Sequence, residues 1–378
     1  MTIAVSAAIA VVEFAVHRGS ELWAVDLAVY RAAGAALSDG HSVYASPSGK
    51  LPFIYPPFAA LLFAPLSLPS LPVAMIVWNT IEAACLITVI RLCLQHCGMQ
   101  GHRRRLGWAA GSTVLALPLT PVDVDLMAGQ VNTMLVLIVL WDLLRSGARG
   151  QGIGIGIAAG LKLTPLIFVV YLACTGRIRQ ALWAIGAFGA TIVASFAVLP
   201  SDASTYWFSK VFRINPVSRP QNSYNQSLRS VLARLLGTAR VTEVWLVAGS
   251  VVGVLGLGAA VLLYRRGAPL AGACLCAFTG LLISPISWEH HWIWIVPMLM
   301  VVGTVAWKAR SVVAWTVVLV SVVVFTARLF WWGVPHQAAG ELHMSVVQQL
   351  FAASFVIAGG VMMGWTVWSA HRSRTSFP

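Results

Sequence analysis

Apolar stretches close to twenty residues long recur along the whole chain, and short basic clusters punctuate them. The clusters are HRRR (102–105), RSGAR (145–149), GRIR (176–179), YRRG (264–267), KAR (308–310) and HRSR (371–374). A helix of about 20 apolar residues crosses a hydrocarbon core of about 30 Å. Inside lipid only helices and closed barrels satisfy their own backbone. The runs are continuous rather than alternating, which excludes a β-barrel pattern. The chain is therefore predicted to be an all-α, polytopic integral membrane protein. Composition agrees: 58% of the residues are hydrophobic and 10% are charged, against about 25% charged in soluble domains. The net charge of +13 is concentrated in the junctions. That is the positive-inside pattern, and it removes the need for a nucleic-acid partner. Sixteen Trp against seven Tyr reads as interfacial belts. Cys85, Cys93, Cys97, Cys174, Cys274 and Cys276 lie in or beside apolar runs without a CxxC pair. They read as reduced small hydrophobes.

Placing the basic junctions in the cytoplasm gives a single membrane domain over 1–378 with about ten full crossings. The predicted crossings include 73–95, 106–121, 127–144, 181–199, 244–263, 269–286, 290–306, 312–330 and 347–369. Residues 17–72 and 200–243 fall outside. The stretch "QGIGIGIAAGLKLTPLIFVVYLAC" (151–174) has basic flanks on both sides, so it is predicted to be broken, with Gly160, Lys162 and Pro165 supplying the break. "FIYPPFAALLFAPL" (53–66) begins and ends outside and reads as a second short element, a helix with Pro in its first turn. The opening apolar stretch, 2–16, reads as a retained helix. Fifteen residues rise about 22 Å, so either this helix continues past His17 or the coding start lies upstream.

The outer segments collect the unusual polar residues. "AVDLAVYRAAGAALSDGHSVY" (24–44) is predicted to be an interfacial helix resting on Val25, Val29, Ala32, Ala33 and Ala36 and carrying Asp26, Tyr30 and Arg31. Asp26 is either an acid placed by the helix dipole or a functional carboxylate. Asp123 and Asp125 are a metal pair or acids at a helix start. Gln130 and Asn132, deep in an apolar run, are interhelical partners or ligand contacts. Lys162 either snorkels to the cytoplasm or meets a substrate anion. In "SPISWEHHWIWIVP" (284–297), Glu289, His290 and His291 form a costly polar turn at a membrane mouth, which points to function. Adjacent histidines on a helix face different ways, which argues against a shared metal. The basic and aromatic residues of 200–243, Arg229 among them, suit either the membrane surface or an anionic head group.

In family order, "DLAVYRAAGAALSDGHSVY", "LPFIYPPFAALLFAPLSLP", "GQVNTMLVLIVLW", "GIAAGLKLTPLIF", "NQSLRSVLARLL" and "SPISWEHHWIW" resemble glycosyltransferase family 87 of the GT-C superfamily. That family includes actinobacterial polyprenol-phosphate-mannose-dependent α-mannosyltransferases. The resemblance covers roughly 25–300; the abbreviated N-terminus departs from it. It implies a polyprenyl-phosphate-mannose donor, a glycolipid or lipoglycan acceptor of the phosphatidylinositol mannoside or lipomannan type, and an inverting, α-1,2-forming transfer outside the cell membrane. Asp26 would be the general base. Glu289, His290, His291, Arg31 and Lys162 would meet the donor's phosphate and sugar. Gln130, Asn132, Asn225, Gln226 and Tyr55 would bind sugar hydroxyls. Neither a cofactor nor a metal is required, since the lipid phosphate carries fewer charges than a nucleotide diphosphate. The rivals are a carrier of lipid-linked sugars, a non-catalytic scaffold, and a GT-C enzyme for another sugar such as arabinose.

Overall fold

A computed structural model describes residues 2–45, 51–145, 147, 149–213, 219–238, 240–336 and 340–372. Arg374 of the last basic cluster lies outside the described residues. The helices are α1 (Thr2–His17), α2 (Val25–Ser38), α3 (Pro57–Phe63), α4 (Leu71–His96), α5 (His102–Ala116), α6 (Thr120–Ala128), α7 (Asn132–Leu144), α8 (Ile153–Leu161) and α9 (Leu166–Cys174). They continue as α10 (Ile178–Val198), α11 (Pro200–Phe208), α12 (Leu228–Leu236), α13 (Val241–Arg265), α14 (Pro269–Ile283), α15 (Ile295–Ala309), α16 (Val312–Thr326), α17 (Val346–Ala352) and α18 (Ser354–Arg372). Among the described residues there is no strand, only an antiparallel bridge between Asn225 and Trp288.

Among the described residues four helices are long and apolar enough to cross a bilayer: Leu71–His96, Ile178–Val198, Val241–Arg265 and Glu289–Ala309, the last counted with the 3₁₀ turn before α15. The number rises to six if each of two bent pairs is one span. The chain is thus a multi-pass helical membrane protein. The bent pairs fall on two predicted crossings. Residues 127–144 are not one helix, because α6 and α7 meet at 116°; and 347–369 is split into α17 and α18 at 67°. The predicted break in 151–174 is present: α8 stops at Leu161 and α9 starts at Leu166. The short proline-bounded element is also present. Pro57 occupies the first turn of α3, where its missing N–H leaves no bond unmade, and a 3₁₀ turn, Ala64–Ser67, ends it.

The chain forms two compact units. One takes Met1–Val89 and Asp125–Asn215, the other Ile90–Val124 and Pro216–Pro378. In the first, α8 lies hard against α10. Gly152, Gly156 and Gly160 recur every four residues on the contact face, and a Cβ on Gly156 would stand 2.3 Å from the Ala184 carbonyl oxygen. Small residues at this spacing let backbones approach without a hydrophobic driving force. In the second, Gly256 of α13 packs on Thr279 of α14 in the same way. Trp292 is wholly buried there among Phe278, Phe325 and Phe355. This tryptophan is therefore core, which corrects the belt reading for that position.

Gly129, at the α6–α7 corner, needs to be glycine on two counts. Its φ is +72°, and a Cβ would lie 2.7 Å from the Leu27 Cβ. Gly129→Ala is expected to cost about 2–4 kcal/mol, combining left-handed strain with overpacking against α2. Thermal unfolding in detergent, compared with the wild type, checks it; an unchanged midpoint would show that the corner relaxes freely.

Candidate functional site

The site in the first unit is built on α2. The helix starts without a side-chain cap. Ala24 sits in the left-handed region (φ 56°) and its N–H donates to the Met127 carbonyl at 2.9 Å. This bond ties the start of α2 to the end of α6. It fixes Asp26 in the first turn, where the helix dipole favours an acid. Gly34 lets the same helix close on Ala64, whose Cα would stand 2.8 Å from an added Cβ.

The buried face of α2 is Leu27, Tyr30, Ala33, Gly34 and Ala36. The expected resting face is thus corrected: Val25, Val29 and Ala32 stay partly accessible, and Tyr30, read as a residue the helix merely carries, is wholly buried. Aromatic packing explains this. Tyr30 stacks on Phe63 at 4.2 Å and meets Tyr55 and Trp78 edge-on, so its ring fills the space between α2 and α3.

The Tyr30 hydroxyl lies 3.0 Å from both the Tyr55 hydroxyl and Gln130 Oε1, and the Tyr55 hydroxyl lies 3.3 Å from that same amide oxygen. Occupied by phenols, Gln130 Oε1 leaves the NH₂ to donate, and the amide hydrogen-bonds to Asp26. The Gln130 main chain is fixed as well, its N–H on the Asp125 carbonyl and its C=O accepting from Trp78 Nε1. Loss of water around Asp26 raises its carboxyl from an ordinary 3.8 to about 6. The Gln130 hydrogen bond and the Lys162 charge oppose that rise.

Lys162 follows the last turn of α8 in extended conformation. Its Nζ donates to Asn132 Oδ1 at 2.8 Å and stands 5.6 Å from the Tyr55 ring centroid. It is therefore held within the cluster rather than snorkelling away from it. Asn132 in turn donates to Asp125 Oδ1 at 2.7 Å, and Thr133 Oγ1 donates to Asp125 Oδ2 at 2.8 Å. Asp26, Tyr55, Gln130, Asn132 and Lys162, five of the predicted site residues, thus share one connected polar cluster. The arrangement offers a carboxylate with a raised pKa, an ammonium, and amides and phenols matched to sugar hydroxyls. A cleft of about 340 Å³ runs along Val25, Ala28, Val29 and Ala32, on the neighbouring face of α2, within the usual size of ligand pockets.

Other predicted residues stand elsewhere. Arg31 donates to the carbonyls of Leu66 and Ser67 and so closes the 3₁₀ turn after α3. Asp123 pairs with Arg328, whereas Asp125 holds Asn132 and Thr133. In the second unit, Glu289 and His290 are buried on a 3₁₀ turn. The His290 and His291 rings meet edge-on at 4.7 Å, so on this 3₁₀ turn the two side chains lie together, which corrects the expectation that they face different ways.

Asn225 and Gln226 are fully buried, and their amides are spent on main chain. Asn225 bonds the Pro285 carbonyl and the Ser287 N–H. Gln226 bonds the carbonyls of Ser223 and Ala352 and the Phe355 N–H. They are corrected from sugar ligands to struts. The cap of α12 is Ser227.

Sequence reasoning passed over Glu82 and Asp202. Glu82, buried on α4, accepts from the Met134 N–H and lies in electrostatic reach of Asp125. An acid within a crossing is itself a signal of function. Asp202 takes the Ser42 hydroxyl at 2.5 Å and the Val43 N–H at 3.0 Å, which pins the segment after α2. Nothing in its local sequence announces that partner.

The model of glycosyltransferase family 87 matches residues 53–285. A polyprenol-phosphate-mannose-dependent alpha-(1-2)-phosphatidylinositol pentamannoside mannosyltransferase of Mycobacterium tuberculosis is 33% identical over 73% of this chain and 65% of its own length. The protein of the same description from Mycolicibacterium smegmatis is 34% identical over 73% of this chain and 68% of its own. A polyprenol-phosphate-mannose-dependent alpha-(1-2)-phosphatidylinositol mannoside mannosyltransferase, also from M. smegmatis, is 31% identical over 76% and 71%. The chain thus spans about two thirds of the length of these relatives. No solved structure matches it. With the family match covering residues 53–285, the chain belongs to glycosyltransferase family 87.

Proposed function

We propose that this protein transfers mannose from polyprenol-phosphate-mannose to a mannose hydroxyl of a phosphatidylinositol mannoside or related lipoglycan. In this reading it crosses the cell membrane about ten times and works on the extracytoplasmic face. The observation that carries the reading is Asp26, a partly accessible carboxylate at about 6, oriented by Gln130 and beside Lys162 in a chain of this family. A base is most effective when its pKa lies near the operating pH.

Asp26 removes the acceptor hydroxyl's proton as that oxygen attacks C1 of the mannosyl group. The C1–O bond to phosphate breaks, and its electron pair leaves with the lipid phosphate. Attack opposite the phosphate inverts a β donor to an α linkage, here α-1,2. The departing charge needs cations more than a proton. Lys162 is the first choice because it shares a polar cluster with Asp26; His290 and His291, with Glu289 beside them, remain proposed for the donor's phosphate. Tyr55, Gln130 and Asn132 serve the sugars.

The test uses purified protein in lipid nanodiscs with labelled polyprenol-phosphate-mannose and phosphatidylinositol mannoside. The expected product is a longer mannolipid, sensitive to α-mannosidase and formed equally in EDTA. Movement of the donor between leaflets without transfer would make the protein a carrier, and turnover only with an arabinosyl donor would change the sugar.

A further inference from the structure

Two arginines on α12 contrast. Arg234 is 3% exposed and engaged through both of its Nη atoms. Its guanidinium reaches the carbonyls of Gln221 and Asn222 at 3.4 and 3.3 Å, the Ala352 carbonyl at 3.1 Å and the Ser230 hydroxyl at 2.5 Å. It is a strut for the chain around it, with only its Nε left without a partner among the described residues. Arg229, five residues earlier, is 8% exposed. Among the described residues its Nε and Nη1 are buried with no hydrogen-bond partner, and no carboxylate pairs with it.

Taking an arginine out of water without a counter-charge costs several kcal/mol, and a buried donor left unmade adds to that. Such a group persists where a ligand supplies the missing acceptors.

The surroundings hold the guanidinium in place. It lies 5.8 Å from the Trp245 ring centroid, and Trp245 is anchored by its Nε1 on the Ile283 carbonyl at 3.1 Å. Ile283 closes α14 and leads into the segment that carries Glu289, His290 and His291. That segment is bridged to the residues before α12 through Asn225 and Trp288. Arg229 therefore belongs to the same local framework of the second unit as the histidine turn. A guanidinium with unused donors matches the oxygens of a phosphate.

The geometry points to Arg229 as a ligand for the phosphate of a membrane lipid, met by its guanidinium. The shared chemistry covers a polyprenyl phosphate and the phosphodiester of phosphatidylinositol. Assigning that lipid to the reaction rests on the proposed function; binding itself does not.

The experiment measures binding of polyprenyl phosphate, phosphatidylinositol and inorganic phosphate to the full chain in detergent, without acceptor or transfer, for wild type, Arg229→Met and Arg229→Gln. Both variants delete an unpaired buried charge, so their melting temperatures are expected to equal or exceed the wild-type value. Affinity for at least one of the two lipids is expected to fall about 10- to 100-fold, the range for a charged hydrogen-bonding group. Loss for polyprenyl phosphate alone assigns the donor, and loss for phosphatidylinositol alone assigns the acceptor. Wild-type affinity for both lipids in a folded variant overturns the proposal, as does a loss confined to inorganic phosphate. If neither variant folds, Arg229 is a structural residue and the proposal fails. Because the readout is binding, a protein that binds through Arg229 yet transfers no mannose would sink the proposed function and leave this site standing.

Discussion

Asp26→Asn is expected to abolish mannosyl transfer, by about 10²–10⁴-fold if only the proton transfer is lost, while making the folded protein more stable at neutral pH. The two effects share one cause. In the fold the Asp26 carboxyl sits at about 6 instead of 3.8, chiefly because it is desolvated. Ionising it there costs up to about 3 kcal/mol at pH 7. The sign follows directly. Between about pH 4 and 6 the folded chain holds a proton that the unfolded chain has released. This group's stabilising contribution is therefore complete below about pH 4 and is lost as pH rises through 6. The amide has no such dependence. Melting temperature against pH should show the variant gaining on the wild type across that window. The wild-type rate should climb through about pH 6 and then level off, since the base works only when ionised. An active Asp26→Asn enzyme would remove the residue from the mechanism. An inactive one with a lowered melting temperature would point to damage to the fold.

Lys162→Met carries the second large effect. The ammonium opposes the rise in the Asp26 pKa, so its removal should move the acid limb of the pH–rate profile to higher pH. Its loss also leaves Asn132 Oδ1 without its donor and Asp125 without the opposing charge. Breaking a buried charge pair from one side costs up to about 3–5 kcal/mol. If Lys162 also meets the departing phosphate, the maximal rate falls a further 10²–10³-fold, the usual cost of one electrostatic contact to the transition state. A profile that keeps its shape and midpoint would separate Lys162 from Asp26.

The membrane class and the broken 151–174 element were legible because lipid imposes length, apolarity and internal hydrogen bonding on any crossing. α3 was legible because two prolines set its start. Asp26 and Lys162 stood out because charge inside apolar sequence is expensive. The α6–α7 corner was not legible. "MAGQVNTM" continues an apolar run on both sides, and only the left-handed Gly129 against Leu27 turns it. Nor was the fate of Asn225 and Gln226. A buried amide facing main chain and one facing a sugar have the same sequence, and the bonds that decide come from residues as distant as Ala352 and Phe355. The same holds for Arg31, whose acceptors are carbonyls and leave no mark in the sequence.

The corner at 129–131 also bears on how such an enzyme can diversify. Gln130 meets the Asp26 carboxyl and Asn132 the Lys162 ammonium, and they stand two residues apart at one 116° bend. On the proposed function, a substitution that shifts the bend would disturb proton removal and charge stabilisation together, so neither could be retuned alone. Heritable change in substrate preference is then channelled elsewhere in the unit. The segment after α2 is the open route: Asp202 fastens it at Ser42 and Val43, and Leu51 and Phe53 line the cleft beside α2.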